Sequence, residues 1–302
     1  MQRTNHVGSI DRFVLFLCLA LLGLSTWAQI DTEISKETMV YKDTLKLDFY
    51  SDHTSAGQNR PLIILMHGGG FSGGRRDGTD ESGFCAEMAR KGYAVASISY
   101  RLTRKGESFS CDCPTKTKIS TFVKASEDLT DAVTFLMSRN ELSFDRNRIV
   151  LAGSSAGAEA VLSTAFMTGH YEFKHLKPID FAGVISFAGA MVNSAYINSG
   201  NAIPTLFFHG EKDKLVPFGT HPHHYCDSKT EGYLMLDGPE TIVARLGDLG
   251  VSYILAFDPD GGHDWADMAY DKTELVHHFI EELILQERFE QSLIRITKEE
   301  EK

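Results

Sequence analysis

RIVLAGSSAGAEAVLSTAFM, residues 148–167, is a short apolar strand, a turn and a helix in direct succession. Arg148 to Ala152 has the unbroken apolar character of a strand covered on both faces, and Ala156 to Met167 reads as a helix. Between them Gly153-Ser154-Ser155-Ala156-Gly157 spells G-x-S-x-G, a turn too tight for side chains at its glycines. Such a turn lifts the Ser155 hydroxyl above the end of a sheet, at a helix N-terminus, where developing negative charge is favoured. The motif alone is weak evidence. Its place between a buried strand and a helix makes Ser155 a nucleophile candidate.

The same alternation extends in both directions. Leu45 to Phe49, Leu62 to Met66 and Tyr93 to Tyr100 read as strands before it. Helices are expected from about Ser82 to Lys91 and from Ala125 to Ser138, with a polar, cysteine-bearing loop at 103–122. Phe181 to Phe187, Ile203 to Phe208 and Ser252 to Phe257 continue the strands, with a helix at Thr241 to Leu249 and a long loop from Glu211 to Gly238. Leu275, Phe279 and Leu283 mark a last helix, and the acidic KEEEK tail reads as its solvated end. Strand and helix alternate throughout, which implies a largely parallel sheet covered on both faces. Ligands in such folds bind beyond the C-terminal ends of the strands.

Composition agrees with this reading. The chain has 302 residues, 42% hydrophobic and 24% charged, which excludes a disordered, collagen-like or coiled-coil protein. A net charge of −11 argues against nucleic acid, anionic membrane surfaces and polyanionic substrates as partners. It does not bear on a neutral small-molecule substrate.

The strand at Leu62 to Met66 runs into His67-Gly68-Gly69-Gly70-Phe71. Three successive glycines expose backbone N–H groups, and Gly69, Gly70 and Ala156 form a candidate oxyanion hole. A phosphate-binding loop would want Lys-Ser/Thr after the glycines, where Phe71-Ser72 stands.

HGGGF, GSSAG, HGEKDKLVP and GGHDW, in that order, resemble the α/β-hydrolase superfamily. The likeness is greatest to its carboxylesterases with an HGGG oxyanion loop, the hormone-sensitive-lipase-like and feruloyl/acetyl-esterase-like groups. The resemblance implies a mostly parallel sheet of about eight strands with one crossing strand. It also implies an acid after the sixth strand, where Asp213 fits the pattern with Val216 and Pro217 in place. Glu211 is the nearby rival and lies too close to the strand end. His263 falls last in the order Ser…Asp…His that this fold uses, whereas His67 and His209 are structural members of their motifs. By resemblance, the expected activity is hydrolysis of carboxylic esters, short-chain, acetyl or feruloyl, on a small-molecule or polysaccharide-borne substrate, by a Ser155–His263–Asp213 triad through an acyl-enzyme. That chemistry needs no metal and no organic cofactor. A serine peptidase on this fold would want a propeller or cap for which the chain has no room. A non-catalytic binding protein would have lost one of the three residues.

Residues 1–28 carry Arg3 and Arg12, an apolar run from Phe13 to Leu24, and small residues before Ala28. This is the layout of a cleaved signal peptide, with an uncleaved anchor as the rival, and it leaves 29–302 as one hydrolase domain in a secreted or periplasmic protein. Outside the leader stand Cys85, Cys111, Cys113 and Cys226, an even count that suggests two disulfides in an oxidising compartment. A bridge from Cys111 to Cys113 would be strained. Both long loops leave strand ends on the Ser155 face, and Cys85 lies near a helix start. The expected bridges are therefore Cys226 with Cys111 or Cys113, and the other of these two with Cys85. Loop 103–122, with Arg104, Lys105 and Phe109, is the expected substrate selector. His221, His223, His224 and Cys226 read as a polar loop with a disulfide cysteine rather than a metal site. Glu159, four residues past Ser155, reads as a paired core carboxylate.

Overall fold

The computed structural model describes residues 34–52 and 60–298. The expected leader, 1–28, and residues 299–302 of the acidic tail lie outside the described residues. The chain begins with β1 (Ile34–Lys42) and β2 (Leu45–Asp52), an antiparallel pair, then β3 (Pro61–Met66), α1 (Thr79–Arg90), β4 (Ala94–Ile98) and α2 (Thr115–Ser138). It continues through β5 (Asp145–Ser154), α3 (Ala156–Phe166), β6 (Gly183–Phe187) and β7 (Thr205–Gly210). A small hairpin of β8 (Thr220–Pro222) and β9 (Met235–Asp237) follows, then α4 (Pro239–Asp248) and β10 (Tyr253–Asp258). Two short helices, α5 (Trp265–Met268) and α6 (Thr273–His278), lead into a π-helical segment, Phe279–Leu285, and β11 (Gln291–Arg295) ends the order.

Among the described residues, nine strands form one sheet in the order β1-β2-β4-β3-β5-β6-β7-β10-β11. Only β2 runs against the rest; from β4 to β11 every neighbouring pair is parallel. β3 is buried along its whole length. Its side chains alternate: Leu62, Ile64 and Met66 enter the core under α2, α3 and α4, while Ile63 and Leu65 enter the core under α1, α5 and α6. Both sides are therefore dry, which is why this strand reads as a continuous apolar run.

The mostly parallel sheet of about eight strands is present. Three other expectations are corrected here. The last helix does not run on into the tail: the helical segment ends at Leu285, and β11 follows as a parallel edge strand beside β10. Lys298, the one described residue of the KEEEK stretch, forms an ion pair with Asp264. The polar loop after β4 stops at Pro114, not at residue 122, because α2 starts at Thr115. Its first turns keep their polar groups occupied. Thr115 donates its N–H to the Glu231 carbonyl at 2.9 Å and its hydroxyl to Tyr233 at 2.8 Å, and the Lys118 ammonium donates to the Gly232 carbonyl at 2.8 Å.

The cysteines give the third correction. Cys111 is bonded to Cys226, with a Cα–Cα distance of 5.2 Å, which is one of the two pairings expected for Cys226. The second bridge is not formed, and Cys85 and Cys113 are free buried thiols. Cys85 sits on the inner face of α1 among Ile63, Leu65 and Phe84, while Cys113 joins the opposite core with Phe109 and Phe122. The sheet separates them. Alkylation of the unreduced, denatured protein followed by peptide mapping should label Cys85 and Cys113 and leave Cys111 and Cys226 unlabelled. A Cys85–Cys113 bridge would contradict this two-sided packing.

Candidate active site

Ser155 stands between β5 and α3 with φ 48° and ψ −117°, a backbone conformation that is strained for a residue with a side chain. The flanking glycines make the turn possible. A Cβ on Gly153 would lie 2.4 Å from the Gly157 carbonyl oxygen, and one on Gly157 would lie 2.2 Å from that of Met66 at the end of β3. The Ser155 N–H donates to the Phe187 carbonyl on β6 at 2.8 Å. The strained residue is thus held between two neighbouring strand ends.

The loops after β7 and β10 are fastened together. The N–H groups of Glu211 and Lys212 donate to the carbonyls of Asp258 and Gly261, each at 2.9 Å. Asp258 accepts from the Trp265 indole N–H at 3.0 Å and from the Asp260 N–H at 2.9 Å, which fixes the GGHDW turn. Two segments far apart in sequence thereby bring Asp213 against His263.

The resulting relay is continuous. The Ser155 hydroxyl lies 2.8 Å from His263 Nε2, and His263 Nδ1 lies 2.7 Å from Asp213 Oδ2. Asp213 is fully buried, and its other oxygen accepts the N–H groups of Leu215 and Val216 at 2.8 and 3.0 Å. A carboxylate in this setting orients the imidazole so that Nδ1 carries the proton and Nε2 is free to accept one. Burial works to raise the Asp213 pKa; the neighbouring His209 and His263 outweigh it and hold the carboxyl well below its usual range. His209 is therefore more than a motif residue. Its Nε2 donates to the Val216 carbonyl at 3.0 Å and stands 3.4 Å from Asp213. Glu211, the rival acid, is exposed.

Gly69 and Gly70 have φ of 107° and 60° and border the same cavity as Ser155 and Ala156. Their loop is anchored on both sides. The His67 ring stacks on Tyr100 at 4.4 Å, and the Tyr100 hydroxyl donates to the His67 carbonyl at 2.9 Å. Phe71, with no exposed surface, lies edge-on to Phe109 at 5.1 Å and Phe122 at 5.8 Å.

The cavity holds about 460 Å³. Phe109 borders it, as expected, but Arg104 and Lys105 of that loop do not line it. The Arg104 guanidinium is occupied by the Ser108 carbonyl at 2.6 Å and by Glu107 at 2.7 Å, and Lys105 is exposed. The other wall carries Leu215, Val216, His223 and His224. Cys226 is bonded to Cys111, so its sulfur belongs to no metal site, and the histidines before it serve the cavity instead. Burial lowers the His224 pKa to about 4. Glu159 is buried as expected; its Oε1 lies 3.4 Å from His223 Nε2 but makes no hydrogen bond. The spacing from Ser155 was the available sign: i and i+4 share a helix face.

The depressed Asp213 pKa has a definite pH consequence. A carboxyl whose folded pKa lies below its unfolded value stabilises the fold at neutral pH, and that contribution is lost as pH falls through the ordinary carboxylate range toward the folded value. Between pH 5 and pH 2 the wild type should lose stability on the order of 2 kcal/mol more than Asp213→Asn. Denaturant titrations at several pH values measure this, and parallel acid limbs would contradict it.

Residues 47–191 match the BD-FAE family. Among curated proteins, the chain is 28% identical over 149 residues to the non-reducing polyketide synthase pkbA of Emericella nidulans. That match takes in 45% of this chain, which spans only 5% of the synthase. Among solved structures, it is similar to esterase B from Lactobacillus rhamnosis, with a TM-score of 0.55 and 16% identity over 84% of this chain and 87% of that one. It is also similar to a thermophilic esterase from Thermogutta terrifontis, solved with butyrate bound, with a TM-score of 0.58 and 20% identity over 82% of this chain and 93% of that one. The chain shares the α/β fold of these solved esterases, and its segment 47–191 matches the BD-FAE family.

Proposed function

We propose that the protein is an exported serine hydrolase of carboxylic esters, acting on short-chain, acetyl or feruloyl esters. The observation that carries this reading is the unbroken relay from Ser155 through His263 to Asp213, at 2.8 and 2.7 Å, with Ser155 on a strained turn. His263 takes the Ser155 proton as the hydroxyl attacks the ester carbonyl, and then gives it to the leaving alcohol. The N–H groups of Gly69, Gly70 and Ala156 stabilise the oxyanion of the tetrahedral intermediate. Water, activated by the same histidine, releases the acid from the acyl-enzyme.

A cavity of about 460 Å³ suits a small acyl or alcohol group. The Thermogutta terrifontis esterase, solved with butyrate or with propionate bound, supports short acyl chains here. Export is supported by the signal-like leader and by the Cys111–Cys226 bond, which suits an oxidising compartment. Among the described residues no helix is long and apolar enough to cross a membrane.

Ser155→Ala should lower kcat on a 4-nitrophenyl ester by roughly three orders of magnitude while the melting temperature is retained. His263→Ala should be comparably impaired, and the double variant should lose little more, because the residues act as a unit. Near-normal turnover by Ser155→Ala, or full additivity in the double variant, would move the nucleophile elsewhere.

A further inference from the structure

Glu159 lies one helical turn past Ser155, on the same face of α3. It is 2% exposed and borders the cavity. Its Oε1 makes no hydrogen bond, although His223 Nε2 stands 3.4 Å away. His223 is 1% exposed, borders the same cavity, and has an unpartnered Nδ1. The buried ammonium of Lys118 does not fill the gap, since it donates to the Gly232 carbonyl. Behind these groups the Phe109 ring meets His223 edge-on at 5.3 Å.

Buried polar atoms are nearly always paired, so two unpaired ones on one wall of a catalytic-sized cavity need an explanation. Their surroundings push both groups toward their uncharged forms. Burial raises the Glu159 carboxyl well above its usual range against the opposing pull of Lys118, and burial lowers His223. A carboxyl and an imidazole in these states offer a donor and acceptors without net charge. The complement is a group that both accepts and donates, and a hydroxyl does so.

We propose that Glu159 and His223 form a polar subsite that holds a hydroxyl group of the substrate beside the ester, so that the cavity selects hydroxylated neutral esters over their alkyl counterparts. This rests on the ester-hydrolase reading and names a chemical class within it. The disulfide serves the subsite. Phe109 lies two residues before Cys111 and His223 three before Cys226, so the bond fixes both walls at once.

Two matched ester pairs test the subsite: ethyl lactate against ethyl isobutyrate for a hydroxyl on the acyl side, and 2-hydroxyethyl acetate against propyl acetate for one on the alcohol side. Each kcat/KM is divided by the rate of alkaline hydrolysis of the same ester. The wild type should favour the hydroxylated member of one pair by roughly five- to thirtyfold, and the responding pair shows which side enters the subsite. Glu159→Leu should bring that ratio to within about twofold of unity, while Glu159→Gln, whose amide donates and accepts as a neutral carboxyl does, should retain most of it. A purely structural role would lower both members of a pair together and leave the ratio unchanged. Should Glu159→Leu fail to fold, His223→Phe reads the same ratio. Activity with no preference in either pair, or a preference that survives both Glu159→Leu and His223→Phe, would overturn the subsite alone. Inactivity of the wild type on all four esters would overturn the ester-hydrolase reading and the subsite with it.

Discussion

The close approach of the α3 N-terminus to the end of β3, made through Gly157, is the constraint on which the site depends. With 2.2 Å between the position of a Gly157 Cβ and the Met66 carbonyl oxygen, no side chain fits there. That contact sets the start of α3, and the start of α3 sets Ser155 at a positive φ with its hydroxyl toward His263. The HGGG loop leaves the same end of β3, so one backbone contact fixes both the nucleophile turn and the Gly69–Gly70 segment beside it. The strain at Ser155 is sustained because β3, β5 and β6 are buried on both faces and cannot relax around it.

The cavity walls obey a different logic. They come from the loops after β4 and β7, which have little core of their own, and crosslinks take its place. The Cys111–Cys226 bond spans 115 residues of chain and is worth about 2–4 kcal/mol through the freedom it removes from the unfolded state. The Lys118 and Thr115 hydrogen bonds to residues 231–233 tie the same two segments a turn further on. A rigid base and a laced rim allow the polar groups of Glu159 and His223 to stay unpaired without the loops collapsing to satisfy them.

The Ser155 turn, the Asp213 position and the His263 position were legible in the sequence because each is written locally, as a glycine pattern or a strand-end loop in a fixed order. What was not legible depends on which side of the sheet an element packs. The pairing of Cys85 with a loop cysteine looked reasonable from its place near a helix start, but the inner face of α1 turns Cys85 into the core opposite Cys113. The polar start of α2 hid a helix because its side chains bond to residues more than a hundred positions away. β11 escaped notice because an edge strand with alternately exposed residues, Leu293 among them, carries little apolar signal. Glu159 and His223 were each visible, but their meeting across the cavity is a product of the loop that Cys226 holds.

The central claim is that Ser155 carries the acyl group during turnover. The most direct measurement is rapid acid quenching during hydrolysis of 4-nitrophenyl butyrate, followed by digestion and mass spectrometry. The account predicts a burst of 4-nitrophenol matching the enzyme concentration and a butyryl group on the peptide that contains Ser155. An ester hydrolysed with full activity, no burst, and no acyl group on that peptide would contradict it.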